Sequence, residues 1–218
     1  MYNDLEKIGN ELDQKLGNMI LDNHLGGFFD QGDGGTYYPQ MWSYIVKKYK
    51  IKNVLDIGCG RGYSSLYFKS LGCNITGVDG SKKAQELSLI PDNFILNDYT
   101  LSSAITQEKF DLIWCCEFVE HVEEKYINNF LKDFQKGKYL LMTFAGLNQA
   151  GHHHVNCNTK EYWINIMEEN GFIFSNDITN ELVEQAKLDK IKSDDKKTGI
   201  YFNFHFLERG LFFINTKH

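Results

Sequence analysis

The sequence has only two prolines in 218 residues, so it contains no proline-rich linker or extended polyproline segment. No apolar run approaches the roughly 20 residues that a membrane-spanning helix needs, the longest candidates resembling Tyr139–Leu147. No basic amphipathic helix suits a bilayer surface either, and the expectation is a protein without membrane association. Basic residues form no block: 23 Lys and Arg stand against 29 Asp and Glu, for a net charge of −6. That balance argues against a large nucleic-acid interface, although a small site for a nucleic-acid end passes the same test. The five cysteines (Cys59, Cys73, Cys115, Cys116, Cys157) form no C-x-x-C pair and are odd in number. They read as reduced, mostly buried thiols of a cytoplasmic protein. The opening MYNDLEKIGNELDQKLGN lacks a basic start followed by an apolar core, so no signal peptide is read there.

What is present is a globular composition, 42% hydrophobic and 14% aromatic, long enough for one domain over 1–218 with a substantial core. Leu5, Ile8, Leu12 and Leu16 predict an amphipathic helix over 3–17. The glycine-rich GGFFDQGDGGTYYP (26–39) is expected to be irregular, and its Phe28, Phe29, Tyr37 and Tyr38 suggest a lid. Residues 1–40 thus form an N-terminal helix and lid segment. From there strands are expected at 53–57, 74–79, 93–96, 110–115, 138–144, 172–175 and near 210–215. Helices are expected at 40–49, 62–70, 82–88, 122–136 and 159–170, and a charged stretch at 178–200 precedes the last strand. Continuous apolar strands alternating with helices indicate α/β architecture: a doubly wound, seven-stranded, mainly parallel sheet.

The stretch VLDIGCGRGYSS (54–65) reads as strand, glycine turn and helix, with Gly58, Gly60 and Gly62 letting a ligand approach the main chain. Asp56 precedes the glycines; ITGVDG ends the next strand with Asp79 and Gly80, and FILNDYT supplies Asp98 and Tyr99. A dinucleotide dehydrogenase usually keeps G-x-G-x-x-G facing a pyrophosphate, whereas an acid before G-C-G-R-G repels phosphate and accepts from an ammonium group. The four elements LDIGCGRG, GVDG, LNDYT and FDLIWCCEFVEH, in this order, resemble the Rossmann-like class I S-adenosylmethionine-dependent methyltransferases. The resemblance implies S-adenosyl-L-methionine as methyl donor. Asp56 and the loop Gly58, Cys59, Gly60 and Gly62 would hold its methionine end, Asp79 and Gly80 the ribose, and Asp98 and Tyr99 the adenine. Tyr37 or Tyr38 is expected to contact the donor from the lid.

In CCEFVEHV (115–122), Glu117, Glu120 and His121 follow a buried strand, and in a helix the spacings i, i+3 and i+4 share one face. Acids near a helix start would give the same letters. E-x-x-E-H with a later histidine resembles two methyltransferase groups: ubiquinone-biosynthesis O-methyltransferases and small-RNA 3′-terminal ribose 2′-O-methyltransferases. The loop GLNQAGHHHVN adds His152, His153 and His154. The resemblance selects His154 as fourth ligand, with His152 in reserve, so the expected set is Glu117, Glu120, His121 and His154. Carboxylates with imidazoles suit Mg²⁺ or Mn²⁺, leaving room for two oxygens of a vicinal diol, a sugar or glycan hydroxyl being favoured over a small catechol. His121, His153 or His152 is the expected general base. Three alternatives stand beside this reading: a metal-independent methyltransferase with a histidine base, an RNA-terminal ribose 2′-O-methyltransferase, and a silent S-adenosylmethionine-binding module.

Overall fold

The computed structural model describes residues 19–21, 24–105, 107–189 and 205–218. The expected helix over 3–17 and residues 190–200 of the expected charged stretch lie outside them. Chain order is β1 (Met19–Leu21), β2 (Gly27–Phe29), α1 (Pro39–Tyr49), β3 (Asn53–Ile57), α2 (Tyr63–Ser70), β4 (Asn74–Asp79), α3 (Lys82–Glu86) and β5 (Phe94–Leu96). There follow β6 (Phe110–Cys115), α4 (Ile127–Phe134), β7 (Gly137–Met142), α5 (Lys160–Glu169), β8 (Phe172–Phe174), α6 (Asn176–Lys187), α7 (His205–Arg209) and β9 (Leu211–Asn215).

Strands β3 to β9 form one seven-stranded sheet in the order β5-β4-β3-β6-β7-β9-β8, parallel except for β9, which runs antiparallel to both neighbours. The strand sequences explain this burial. In β6, Leu112 and Trp114 feed the core on one face, while Ile113 and Cys115 feed the core on the other. Alternating side chains therefore all need to be apolar, and the strand reads as a continuous run. On one face Trp42 and Ile45 of α1 pack with Trp114 and Phe212; on the other Phe130 of α4 and Trp163 of α5 pack with Ile113 and Phe213. Trp42 is fully buried, and its truncation to alanine should cost about 3–5 kcal/mol. Pro39 starts α1, and the Asp189 carboxylate accepts from the N–H groups of Gln40 and Met41, satisfying two donors that the first turn leaves open.

Strand order reverses between β3 and β6, so the crevice above their carboxyl ends is where such a sheet presents a site. Two expectations need correction. The stretch 26–39 is not wholly irregular: Gly27–Phe29 pairs antiparallel with Met19–Leu21, and Gly34–Thr36 is a 3₁₀ turn capped by the Asp33 side chain. The helix expected over 122–136 is shorter, beginning as a 3₁₀ turn at Glu124–Tyr126 and running as α-helix only over Ile127–Phe134.

Candidate active site

The turn after β3 is fastened to β4: the N–H groups of Gly58 and Cys59 donate to the Val78 carbonyl, and Gly60 N–H donates to Asp79 Oδ2 at 2.8 Å. Gly58 has φ of +72°, and a Cβ there would lie 2.9 Å from the Phe118 side chain, so both conformation and space require glycine. Asp56 is buried and accepts 2.6 Å hydrogen bonds from Ser64 and Ser65. Burial pushes its carboxyl up to about 6, the two serines opposing and the charge of Asp79 adding. Asp56, Gly58, Cys59 and Gly60 border a cavity of about 850 Å³ whose other walls include Phe28, Phe29, Tyr37 and Trp114. Gly62 is not among the residues that border this cavity; it is the N-cap of α2.

Asp79, Gly80, Asp98 and Tyr99 surround a second, much smaller cavity of about 60 Å³. The Asp79 carboxylate also accepts from Ser81 N–H at 2.9 Å, and Asp98 accepts from Thr100 N–H at 2.8 Å and His24 Nε2 at 2.7 Å. Burial would raise the Asp98 carboxyl, but these donors outweigh it and hold it below the ordinary range. Two expected contacts are altered. Tyr38 is fully buried: its hydroxyl donates to the Gly35 carbonyl and accepts from Phe206 N–H, within an aromatic core with Trp42 and Trp114. Tyr37, its neighbour, is the one that borders the large cavity. Tyr99 borders the small cavity but is no free stacking face, because it is buried, its hydroxyl donates to Asp133 and its ring meets Phe118 edge-on.

The segment after β6 is not α-helical. Glu117 takes a left-handed φ of +49°, and Val119–His121 is a single 3₁₀ turn. This brings Glu120, His121 and His154 together, one potential ligand atom from each lying within 4.8 Å of the others. Glu120 is completely buried, and neither carboxylate oxygen has a hydrogen-bond partner. His121 Nδ1 lies 3.3 Å from the His153 carbonyl and His154 Nδ1 lies 3.0 Å from the Gln149 carbonyl. A carbonyl can only accept, so both rings donate from Nδ1 and keep the Nε2 lone pair free. A Cβ on Gly151 would fall 2.2 Å from His154 Nε2, so glycine keeps that nitrogen open. Burial and the Glu117 charge push the Glu120 carboxyl well up; burial and His154 push His121 down to about 4, and burial lowers His154 too. A buried carboxylate without donors beside two neutral imidazoles fits a divalent cation, which would replace the missing partners.

Glu117 is not in this group. Its Oε1 accepts from Thr143 Oγ1 at 2.8 Å and its Oε2 from His205 Nδ1 at 2.9 Å, with Arg209 at 3.9 Å. Burial raises this carboxyl, but His205, Thr143 and Arg209 outweigh it and leave it low. Burial lowers His205, yet Asp33 and Glu117 carry it to about 9. Of the other histidines, His152 borders the large cavity, whereas His153 does not and turns its Nδ1 toward the His121 carbonyl. Sequence reasoning missed His205, Arg209, Thr143 and Asp33. Only Asp33 left a signal, in the cap pattern D-G-G-T.

The sheet is Rossmann-like, with a glycine turn after β3 and acids at the tips of β3, β4 and β5. Residues 55–137 match the methyltransferase domain family. The chain is 35% identical over 122 residues to the ubiquinone biosynthesis O-methyltransferase of Pelagibacter ubique, covering 49% of this chain and 50% of that protein. It is 37% identical over 84 residues to the protein of that name from Actinobacillus pleuropneumoniae serotype 7, covering 34% and 36%. The chain thus spans about half or less of the length of these curated relatives. Magnesium protoporphyrin IX methyltransferase from Synechocystis PCC 6803, solved with S-adenosylhomocysteine, shares the fold with a TM-score of 0.54 at 16% identity, covering 80% of each chain. Residues 55–137 are therefore similar to a methyltransferase domain, and the sheet has the fold that S-adenosylmethionine-dependent methyltransferases share.

Proposed function

We propose that the protein transfers a methyl group from S-adenosylmethionine to one hydroxyl of a vicinal diol, assisted by a divalent cation on Glu120, His121 and His154. The observation that carries the metal is Glu120, buried without a donor between two imidazoles whose Nε2 atoms are free. Two nitrogens and one carboxylate favour Mn²⁺ or Zn²⁺ and make Mg²⁺ the poorer fit. Glu117, ionised and held by Thr143 and His205, adds negative charge beside the cluster. When bound, the cation supplies the charge that lets a diol hydroxyl ionise near neutral pH.

The chain's own residues do the rest. Asp56 and the glycine turn receive the methionine end, Asp79 the ribose hydroxyls and Asp98 the adenine amine. His152, on the cavity wall, takes the hydroxyl proton as the oxygen attacks the sulfonium methyl carbon and the carbon–sulfur bond breaks to release the thioether. Phe28, Phe29, Tyr37 and Trp114 line the same cavity, and flat apolar walls shift the preference from a sugar hydroxyl toward a small catechol. Five free cysteines suit a reducing, cytoplasmic setting, and no helix among the described residues is long and apolar enough to cross a membrane. The test is methylation of 3,4-dihydroxybenzoate with and without EDTA. The reading expects turnover that chelation abolishes and Mn²⁺ restores; full turnover in EDTA would return the chemistry to a histidine base alone.

A further inference from the structure

The two ends of the crevice differ in openness: about 850 Å³ lies beside the glycine turn and Asp56, but only about 60 Å³ between Asp79 and Asp98. What fills the second end is the chain itself. His24 Nε2 sits 2.7 Å from Asp98 Oδ2, taking the carboxylate that faces the site. The Leu25 methyls lie over Gly80, each 3.0 Å from where a Cβ would be. Gly26 then crosses the His121 ring, its own Cβ position 2.8–2.9 Å from the ring atoms, and Gly27, with φ of +155°, leads into β2. A basic nitrogen on the acid and an apolar side chain beyond the β4 tip repeat the polarity of a nucleoside: an amine donor joined to a flat apolar body.

We infer that His24–Gly26 is a strap that occupies the donor's nucleoside subsite and must lift before S-adenosylmethionine can enter. This rests on the methyltransferase reading above, which assigns Asp79 and Asp98 to the nucleoside. The strap is built to move. The glycine pair Gly26-Gly27 permits a change of backbone direction, the His24 side chain is 62% exposed, and its ion pair with Asp98 is of the exposed kind that contributes little. Because the same strap covers the His121 ring, lifting it also uncovers one face of the histidine cluster. Donor entry and access to that cluster are thereby linked through one segment.

Calorimetric and stopped-flow binding of S-adenosylhomocysteine to wild type, His24→Ala and the double variant His24→Ala/Leu25→Ala tests this. A strap closed in roughly nine molecules of ten reduces apparent affinity about tenfold, so the double variant should bind about tenfold tighter and associate faster. 5′-Methylthioadenosine, which carries the nucleoside alone, should gain by the same factor. Hydrogen exchange gives a second readout that needs no variant: exchange at residues 24–26 should speed up when S-adenosylhomocysteine binds. Equal or weaker binding by the variants, or slower exchange at 24–26, would make these residues a supporting lid and overturn the strap. Absence of binding by every form would remove the nucleoside subsite itself, and with it the reading on which the strap rests.

Discussion

Two carboxylates sit at the carboxyl ends of adjacent strands, equally hidden from water and oppositely supplied with partners. Asp56, in β3, is 1% exposed and receives two serine hydroxyls; Glu120, just past β6, is 0% exposed and receives nothing. Burial is the largest influence on both, yet Asp56 rises only to about 6 while Glu120 goes well above its ordinary value. The difference teaches what each awaits. Asp56 is prepared by the protein to carry charge and needs only a modest external donor, such as the ammonium of a methionine. Glu120 has been left without the donors that a buried carboxylate requires, and its neighbours are two imidazoles that offer lone pairs instead of protons. A cation satisfies all three groups at once, whereas one proton satisfies Glu120 alone.

The largest effect should come from breaking the Glu120 side of this comparison. Glu120→Gln should reduce turnover of 3,4-dihydroxybenzoate by about a thousandfold or more while leaving S-adenosylhomocysteine affinity within a factor of two. Thermal unfolding of metal-free protein should meanwhile be unchanged or raised by the substitution at neutral pH, because an amide spares the fold the proton uptake that burying this carboxyl requires. On the Asp56 side, Asp79→Ala should weaken donor binding by about 2–4 kcal/mol, since two ribose hydroxyls lose a charged acceptor and the glycine turn loses its Gly60 anchor. Unchanged affinity by calorimetry would remove Asp79 from the donor site.

A pH series sharpens the same contrast. Asp56 in the folded protein titrates near 6, above its ordinary value of 3.8, so the folded state holds this proton more tightly than the unfolded chain. Its contribution to stability is therefore fully present below about pH 4 and is lost as pH rises through 6, a change on the order of 3 kcal/mol. Under the proposed donor site, binding should run the other way, because an ammonium beside Asp56 needs the ionised form. Affinity for S-adenosylhomocysteine should fall as pH drops below about 6, and a flat profile from pH 5 to 8 would detach Asp56 from the ammonium. The smallest effect belongs to Tyr38. Tyr38→Phe should cost about 1 kcal/mol in stability, for the bonds to Gly35 and Phe206, with donor affinity unaltered.

The central strands were legible because each serves two cores, which leaves little room for polar residues along it. The edge strands β5 and β8 expose Leu96 and Ile173 and were legible from their apolar composition alone. The acids at the tips of β3, β4 and β5 were legible because each is a carboxylate close to the carboxyl end of an apolar strand. Glu120, His121 and His154 could be read as a set, but the geometry that assembles them could not. It depends on a left-handed φ at Glu117, which nothing about glutamate announces, and on a 3₁₀ turn where α-helical spacing was expected. Glu117 was assigned to the cluster because sequence carries no sign of α7, whose His205 draws the carboxylate aside. Tyr37 and Tyr38 show the same limit at its smallest scale. One ring faces the cavity and its neighbour the core, and only the 3₁₀ turn before them decides which.

Titration of metal-free protein with Mn²⁺, followed by calorimetry and by the electron paramagnetic resonance of free Mn²⁺, tests the central claim most directly because it needs no acceptor. One ion should bind per chain, with affinity reduced at least a hundredfold in Glu120→Gln and in His154→Ala, and with S-adenosylhomocysteine binding retained in both. Binding of equal strength in wild type and Glu120→Gln, or no binding in wild type, would contradict a cation at Glu120, His121 and His154.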